Sequence, residues 1–196
     1  MALKMERKGY GQVEPNHLSG IVEGRIYAQL PAHTKAGNSD PVASITQLEQ
    51  GQFAKYDYAA GEVNFTGDGE FMLVYNEEKL YDERKQSHKD FVLKVGDFTD
   101  KKIYPRLIAT EVGDIYTTNT IDVANTSDTA VVGTVELSVG NYLTVGSNGF
   151  LKLATTGEGA NAVPATTMPA SGMVWKVIKT YTMPDKQPGV KLQRVQ

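Results

Sequence analysis

The sequence contains no cysteine, which excludes disulfide bonds and thiolate metal ligands. It also has no surplus of positive charge, since 20 Lys and Arg residues stand against 23 Asp and Glu residues for a formal net charge of −3. A chain without a basic balance lacks the overall field that is typical of nucleic-acid-binding proteins. We therefore expect no nucleic-acid partner.

Long hydrophobic runs are missing too. No stretch approaches the roughly 18 consecutive apolar residues that span a bilayer. The N-terminal stretch MALKMERKGYGQVEPNH contains no apolar segment of the kind found in secretory signals. We therefore expect no membrane partner, and a protein that is made in a cytoplasm without an export signal.

Residues with catalytic or metal-binding chemistry are few. The three histidines, His17, His33 and His88, are far apart without ligand spacing, and we predict surface or capping roles for them. No G-x-S-x-G elbow is present. The acidic pairs at 77–78 and 82–83 lie in a charge run and are expected to be solvated, although a carboxylate-pair hydrolase stays open as a minor alternative. The sequence predicts no metal, no cofactor, no catalytic residue and no enzyme activity.

Turn formers and strand formers are abundant. The chain has 19 Gly, 8 Pro and 10 Tyr residues, and this composition favours strands that are separated by tight turns. We predict an all-β fold, a compact β-barrel or β-sandwich with an extended N-terminal arm. The arm covers residues 1–20 and the β-rich domain covers residues 21–196, in which 21–55 could be peripheral and 56–196 the core.

One Gly-rich stretch, residues 139–155, permits three interpretations: a hairpin, a phosphate-binding loop or a calcium loop. It lacks the Gly-Lys-Ser/Thr of a phosphate-binding loop and has no Asp or Glu to bind calcium. The hairpin interpretation remains, with residues 147–149 as the turn. A second hairpin is predicted around residues 67–69, followed by a buried strand at EFMLVY, residues 70–75.

A weak echo, Val-Gly-Asp/Asn followed by an apolar residue, occurs at 95–98, 112–115 and 139–142. Its unequal spacing excludes a solenoid repeat and indicates a turn that is used repeatedly. The strand MVWKVIKTY carries apolar residues on both faces. The excursion at 155–172 is too long for an ordinary hairpin loop and indicates either function or disorder. The charged segment at 76–91 could be a short helix or a loop.

The N-terminal segment shows no apolar period and is interrupted by Gly and Pro. We interpret it as an arm that holds the protein to its neighbours, with a disordered terminus as the alternative. Its candidate partner-binding residues are Lys4, Arg7 and Lys8, which suit an acidic surface, and Tyr10, which suits an anchor.

Four stretches, EFMLVYNEEKLYDERK, VGDIYTTNTI, VGNYLTVGSNGFLKL and WKVIKTYTMPDKQPGVKLQRV, resemble tailed-bacteriophage virion proteins. The similarity is to capsid decoration or cement proteins, and it covers roughly residues 70–196. The chain differs from the smallest decoration proteins by its length and by the charged segment at 76–91.

The resemblance implies a non-enzymatic structural protein on the capsid exterior of a virion. Its partners would be the major capsid protein lattice and neighbouring copies of itself, as a homo-oligomer or a lattice-bound multimer. The alternative that we keep is a carbohydrate- or receptor-binding module of a phage fibre or surface-adhesion protein.

Overall fold

A computed structural model describes residues 2–14, 30–34, 44–76, 88–95, 102–123, 135–156 and 163–196. The predictions of a strand at 21–30 and of a helix or loop at 76–91 fall mainly on residues 21–29 and 77–87, which lie outside this set. The His17 prediction and the third Val-Gly-Asp turn, at 95–98, also lie wholly or mainly outside it.

The described residues are essentially all β, as the composition predicts. Their regular elements are short strands and one 3-10 turn at His88–Asp90, and none of the helical structure among them is long and apolar enough to span a bilayer. The strands are β1 Leu3–Met5, β2 Gln47–Leu48, β3 Phe53–Asp57, β4 Glu62–Asn64, β5 Met72–Val74, β6 Leu93–Lys94, β7 Leu107–Ile108, β8 Ile115–Thr118, β9 Val135–Leu137, β10 Tyr142–Val145, β11 Leu151–Leu153, β12 Thr155–Thr156, β13 Val163–Pro164, β14 Val174–Thr182 and β15 Pro188–Arg194.

The largest sheet has five antiparallel strands in the order β11-β10-β14-β15-β8. Its centre is β14, where Trp175 and Val177 are fully buried on the inner face. A register shift between Val177 and Lys179 marks a β-bulge in the β14–β15 pair. The predicted strand MVWKVIKTY is therefore confirmed.

A second sheet has four strands in the order β4-β3-β5-β7. Alternate residues of β3 and β5 point to opposite sides, since successive side chains of a strand alternate. Phe53 and Leu73 join the core of the five-stranded sheet, whereas Tyr56 and Val74 join a second cluster beneath β2, β6 and β7. Burial on both faces explains why EFMLVY is almost continuously apolar. The described strands do not close into a barrel.

An aromatic trio joins the two sheets. The ring of Phe53 lies 5.8 Å from that of Trp175 and 6.3 Å from that of Tyr116, and the rings of Tyr116 and Trp175 are 4.8 Å apart, edge to face. Each is almost fully buried, and burying a Phe side chain such as Phe53 stabilises a fold by about 1.5–3 kcal/mol. This contact fixes the four-stranded sheet against the five-stranded sheet.

The N-terminal segment is extended, but residues 2–14 do not form an arm separate from the domain. Strand β1 pairs with β9, and Val13 forms a bridge to Thr118 at the edge of β8. Met5 and Val13 are only 2% and 3% exposed and belong to the main core. The residues between them, ERKGYGQ, show no repeated apolar position, which is why the sequence pattern did not mark the two as core.

Turn chemistry predicts one hairpin correctly and one wrongly. Residues 147–149 turn the chain between β10 and β11, and Gly149 has φ +79°. The hairpin around residues 67–69 does not form, because β4 and β5 lie on opposite sides of β3. Residues 65–71 cross from one side of β3 to the other, and the true hairpin is β3–β4.

Candidate functional site

The four residues that the sequence proposes for partner binding lie along residues 4–10 but in different environments. Lys4 is exposed and pairs with Glu6 at 2.6 Å. The hydrogen bond and the charge of Glu6 raise the pKa of Lys4, and the same contact lowers the pKa of Glu6. Lys8 is exposed, while its backbone N–H donates to the Gln187 side chain at 2.5 Å. Lys4 and Lys8 therefore present ammonium groups to solvent.

Arg7 is used inside the chain. Its guanidinium donates to the Glu49 carboxylate at 2.7 Å and lies 5.2 Å from the centre of the Phe150 ring. The same Glu49 oxygen accepts the N–H of Gly11 at 2.6 Å. Asp122 and Asn148 complete the rim of a cavity of about 270 Å³ at this place. Arg7 thus fastens the N-terminal segment to the loop before β3.

Tyr10 is likewise engaged within the domain. Its N–H donates to the carbonyl of Lys89 at 2.8 Å. The ammonium of Lys94 lies 4.6 Å from the centre of the Tyr10 ring and donates to the Tyr10 hydroxyl. The structure therefore does not bring the four residues together into one surface: two hold the segment in place and two are exposed.

The excursion at 155–172 contains the most exposed strands among the described residues. Strands β12 and β13 pair as an antiparallel ribbon, Thr155 with Pro164 and Thr156 with Val163. All four residues are exposed, and Val163 is 56% exposed. The base of this pairing is fixed on the domain, since the N–H of Ala165 donates to the carbonyl of Ala154 at 2.8 Å. We call the paired residues of β12 and β13 the ribbon.

Two turns of the Val-Gly-Asp/Asn echo are built alike. At residues 111–114 and 138–141, the last N–H donates to the first carbonyl, and the Asp or Asn side chain accepts the first N–H. The glycines have φ of +103° and +96°, a conformation that favours Gly. Each turn exposes its valine, Val112 by 58% and Val139 by 62%. The echo was visible in the sequence, but the exposure of its valines was not.

A groove of about 600 Å³ lies at one end of the five-stranded sheet. The ammonium of Lys55 lies 4.7 Å from the centre of the Phe71 ring. The Arg194 guanidinium forms a salt bridge with the Glu70 carboxylate. Lys152 contributes a further cation to the lining. The groove is thus mostly cationic with one aromatic ring. No sequence pattern marked it, because its lining comes from six separate parts of the chain.

The described histidines differ from each other. His88 is exposed, as predicted, in the 3-10 turn. His33 is instead buried, and its ring nitrogen contacts the Glu62 carboxylate. The surface prediction for His33 was wrong because β4 brings Glu62 over the loop that holds it. Within the described ranges, no three His, Asp or Glu side chains come together as metal ligands would.

Buried polar groups define a clamp on the N-terminal segment. The Asp185 carboxylate accepts hydrogen bonds from the side chains of Gln12, at 3.0 Å, and Gln187, at 2.5 Å. Burial opposes the charged form of Asp185, but these hydrogen bonds outweigh it and hold its pKa below the ordinary aspartate value.

Comparison of the chain with protein-family models, with curated proteins and with solved structures found no match in any of the three.

Proposed function

We propose that this protein is a non-enzymatic structural component of a tailed-bacteriophage virion. It binds the exterior of the assembled major capsid protein lattice and stabilises the shell as a decoration or cement protein. The observation that carries the proposal is the ribbon, because its four described residues pair as strands yet belong to neither core cluster.

A two-stranded ribbon is marginally stable on its own in water. This ribbon buries none of its four paired side chains, and Met168, four residues beyond it, is 46% exposed. Exposed apolar side chains next to an open strand edge suit a partner that adds a strand or covers the surface. The ribbon and Met168 are therefore proposed as the main contact with the lattice.

The fold suits such a role. We take the two large sheets to form a sandwich, because Phe53 and Leu73 of one sheet pack in the same core as Trp175 and Leu192 of the other. A β domain whose contact residues are already paired as strands loses little conformational entropy on binding. Many copies on a symmetric lattice convert modest contacts into firm retention.

The N-terminal residues have a smaller part in this proposal than the sequence suggested. Arg7 and Tyr10 hold the segment on its own domain. Lys8 remains exposed and available to an acidic neighbour, including another copy of the chain in a lattice-bound multimer, and Lys4 is exposed but paired with Glu6.

A second candidate function is a carbohydrate- or receptor-binding module of a phage fibre. One feature favours it: the groove of about 600 Å³, in which Phe71 offers a ring and Thr144 and Ser171 lie in the lining. Specific binding on a glycan array, lost in Phe71→Ala, would support this candidate over shell binding.

The proposal is tested by co-sedimentation with empty shells of the phage whose genome encodes the chain. The ribbon can be shortened without disturbing its base, because Thr155 and Pro164 are directly paired. Replacing residues 156–163 by Asn-Gly closes this pair with a two-residue turn. Val139→Ser is the matched control, since Val139 is as exposed as Val163 but lies in a turn outside the ribbon.

The wild type and the control should sediment with shells, and the shortened variant should stay in the supernatant. Near-ultraviolet circular dichroism of the shortened variant should still report the buried aromatic trio, which shows that the domain is folded. If the shortened and wild-type chains sediment equally, the ribbon does not bind the shell. If the wild type does not sediment with shells, the proposed function is wrong.

A further inference from the structure

The strand register places four lysines on the outer face of the five-stranded sheet, opposite the face that holds Trp175. Lys152 of β11 lies opposite Thr144, and Thr144 lies opposite Val174. Because side chains two residues apart share a face, Lys176 points to the same side as Val174. We call this the basic face, and its lysines are Lys152, Lys176, Lys179 and Lys191.

The register across β14 and β15 completes the basic face. Lys176 lies opposite Gln193, two residues from Lys191, and Lys191 lies opposite Lys179 beyond the bulge. No acidic residue shares the face within the paired strands. Its other paired positions are Ile115, Thr117, Tyr142, Thr144, Val174, Tyr181, Gly189 and Gln193.

The pairing of Lys179 with Lys191 lowers the stability of the folded domain. Like charges that lie directly opposite each other on antiparallel strands are destabilising, since their Cβ atoms are only about 5 Å apart. In the described part of the chain, no carboxylate forms a salt bridge with any of the four lysines of the basic face. The paired charges of Lys179 and Lys191 therefore do not serve the stability of this domain.

The four ammonium groups are open to solvent in different degrees. Lys152 and Lys179 are exposed, and Lys176 and Lys191 are half-buried. A half-buried lysine lays its methylene stem on the sheet and keeps its charge in water. The ammonium of Lys176 lies 5.6 Å from the centre of the Tyr142 ring. Strands two apart in a sheet are separated by about 10 Å, so Lys176, Lys179 and Lys191 spread over the sheet. Lys152 lies beside them in the lining of the groove of about 600 Å³.

We propose that the basic face docks on an acidic patch of another protein, and, resting on the proposed function, that this patch lies on the outer surface of the shell. The argument is charge complementarity. The chain as a whole has a formal charge of −3, whereas the described strand positions of the basic face carry four lysines and no carboxylate. The charge of these positions is therefore opposite in sign to that of the chain. Such a face orients an encounter and selects a partner patch of opposite charge.

A protein patch fits this face better than a nucleic acid does. Nucleic acid carries a dense and extended line of negative charge, which the acidic remainder of this chain repels. Single-stranded nucleic acid also binds by stacking its bases on aromatic rings. The ammonium of Lys176 already lies against the Tyr142 ring, 5.6 Å from its centre. A carboxylate patch of limited extent needs only the lysines.

The test compares two double variants of equal charge change. Lys152→Glu with Lys179→Glu alters the two exposed lysines of the basic face, and Lys102→Glu with Lys186→Glu alters two exposed lysines elsewhere. Poly-L-glutamate serves as the probe for an acidic polypeptide, duplex DNA as the competing probe, and empty shells as the proposed partner. Binding is measured by fluorescence anisotropy for the polymers and by co-sedimentation for the shells, at several salt concentrations.

We expect the basic-face variant to bind poly-L-glutamate and shells at least about tenfold more weakly than the control variant, with a weaker salt dependence than the wild type. Equal binding by the two variants would overturn the inference. Tighter binding to duplex DNA than to poly-L-glutamate would also overturn it, in favour of a nucleic-acid surface.

The two proposals fail in different ways. If the shortened ribbon abolishes shell binding while the basic-face variant binds like its control, the shell function stands and the basic face plays no part in it. If the wild type binds poly-L-glutamate through the basic face but does not bind shells, the proposed function fails and the acidic partner lies elsewhere.

Discussion

The Gln12 side chain donates a hydrogen bond to the Asp185 carboxylate at 3.0 Å, across 173 positions of sequence. This contact ties the N-terminal segment to the turn between β14 and β15. The Gln187 backbone N–H also donates to Asp185, at 3.1 Å, and the Gln187 side chain accepts the N–H of Lys8. The first residues of the chain are thus part of the folded domain.

This clamp predicts a dependence of stability on pH. The folded-state pKa of Asp185 is lowered, so its contribution is fully present above the unfolded carboxyl pKa of about 4. That contribution is lost as the pH falls through the folded-state pKa. We expect Asp185→Asn to lower the midpoint of urea unfolding at pH 7, and the difference from the wild type to shrink towards pH 3. A constant difference at all pH values would show that the Asp185 charge is not responsible.

Deletion of residues 1–14 should destabilise the isolated domain. It removes the β1–β9 pairing and two buried side chains, Met5 and Val13. A buried Met to Ala change alone costs about 2–5 kcal/mol, so Met5→Ala should show a large part of the effect in urea unfolding. Lys8→Ala is the control and should stay within about 0.5 kcal/mol. If the truncated chain melts like the wild type, residues 1–14 add little to the stability of the domain, and the prediction of a separate arm is favoured again.

The aromatic trio should dominate the core. Phe53 is fully buried and contacts the rings of both Tyr116 and Trp175. We expect Phe53→Ala to cost about 3–5 kcal/mol in free energy of unfolding. Tyr58→Ala is the control, because Tyr58 is 67% exposed in the β3–β4 turn. Similar losses for the two variants would contradict a core that is centred on Phe53.

Two glycines of left-handed conformation should respond differently to alanine. A Cβ on Gly149 would lie 2.2 Å from the carbonyl oxygen of Phe53, whereas a Cβ on Gly140 would meet open space. Gly140→Ala should therefore cost only the backbone conformation, about 1–2 kcal/mol. Gly149→Ala should cost clearly more, because β3 must shift. Equal free energies of unfolding for the two variants would show that the β10–β11 turn is not packed on β3.

How far the sequence predicts this fold depends on the distance between the residues that make each contact. The turn at 147–149 was predictable, because its strands are neighbours in the chain and its glycine is required locally. The wrong hairpin at 67–69 has the same local chemistry, yet β3 lies between its two strands. Met5 and Val13 gave no periodic signal, since their partners lie more than a hundred residues away.

The candidate surfaces were less accessible to sequence reasoning. Only the length of the segment at 155–172 was visible in the sequence. The pairing of β12 with β13 depends on the hydrogen bond from the N–H of Ala165 to the carbonyl of Ala154, which the sequence does not reveal. The basic face could not be found, because the β-bulge after Val177 sets which side Lys179 faces. Each lysine taken singly is an ordinary surface residue, and only the register brings them together.

The central claim is that the protein binds the assembled shell and stabilises it. The most direct test is the temperature at which purified shells lacking the protein disrupt, followed by light scattering with increasing amounts of the wild-type chain. We predict that this temperature rises until the shell sites are saturated, and that the chain with residues 156–163 replaced by Asn-Gly leaves it unchanged. No rise with the wild type at concentrations that saturate binding would contradict the account.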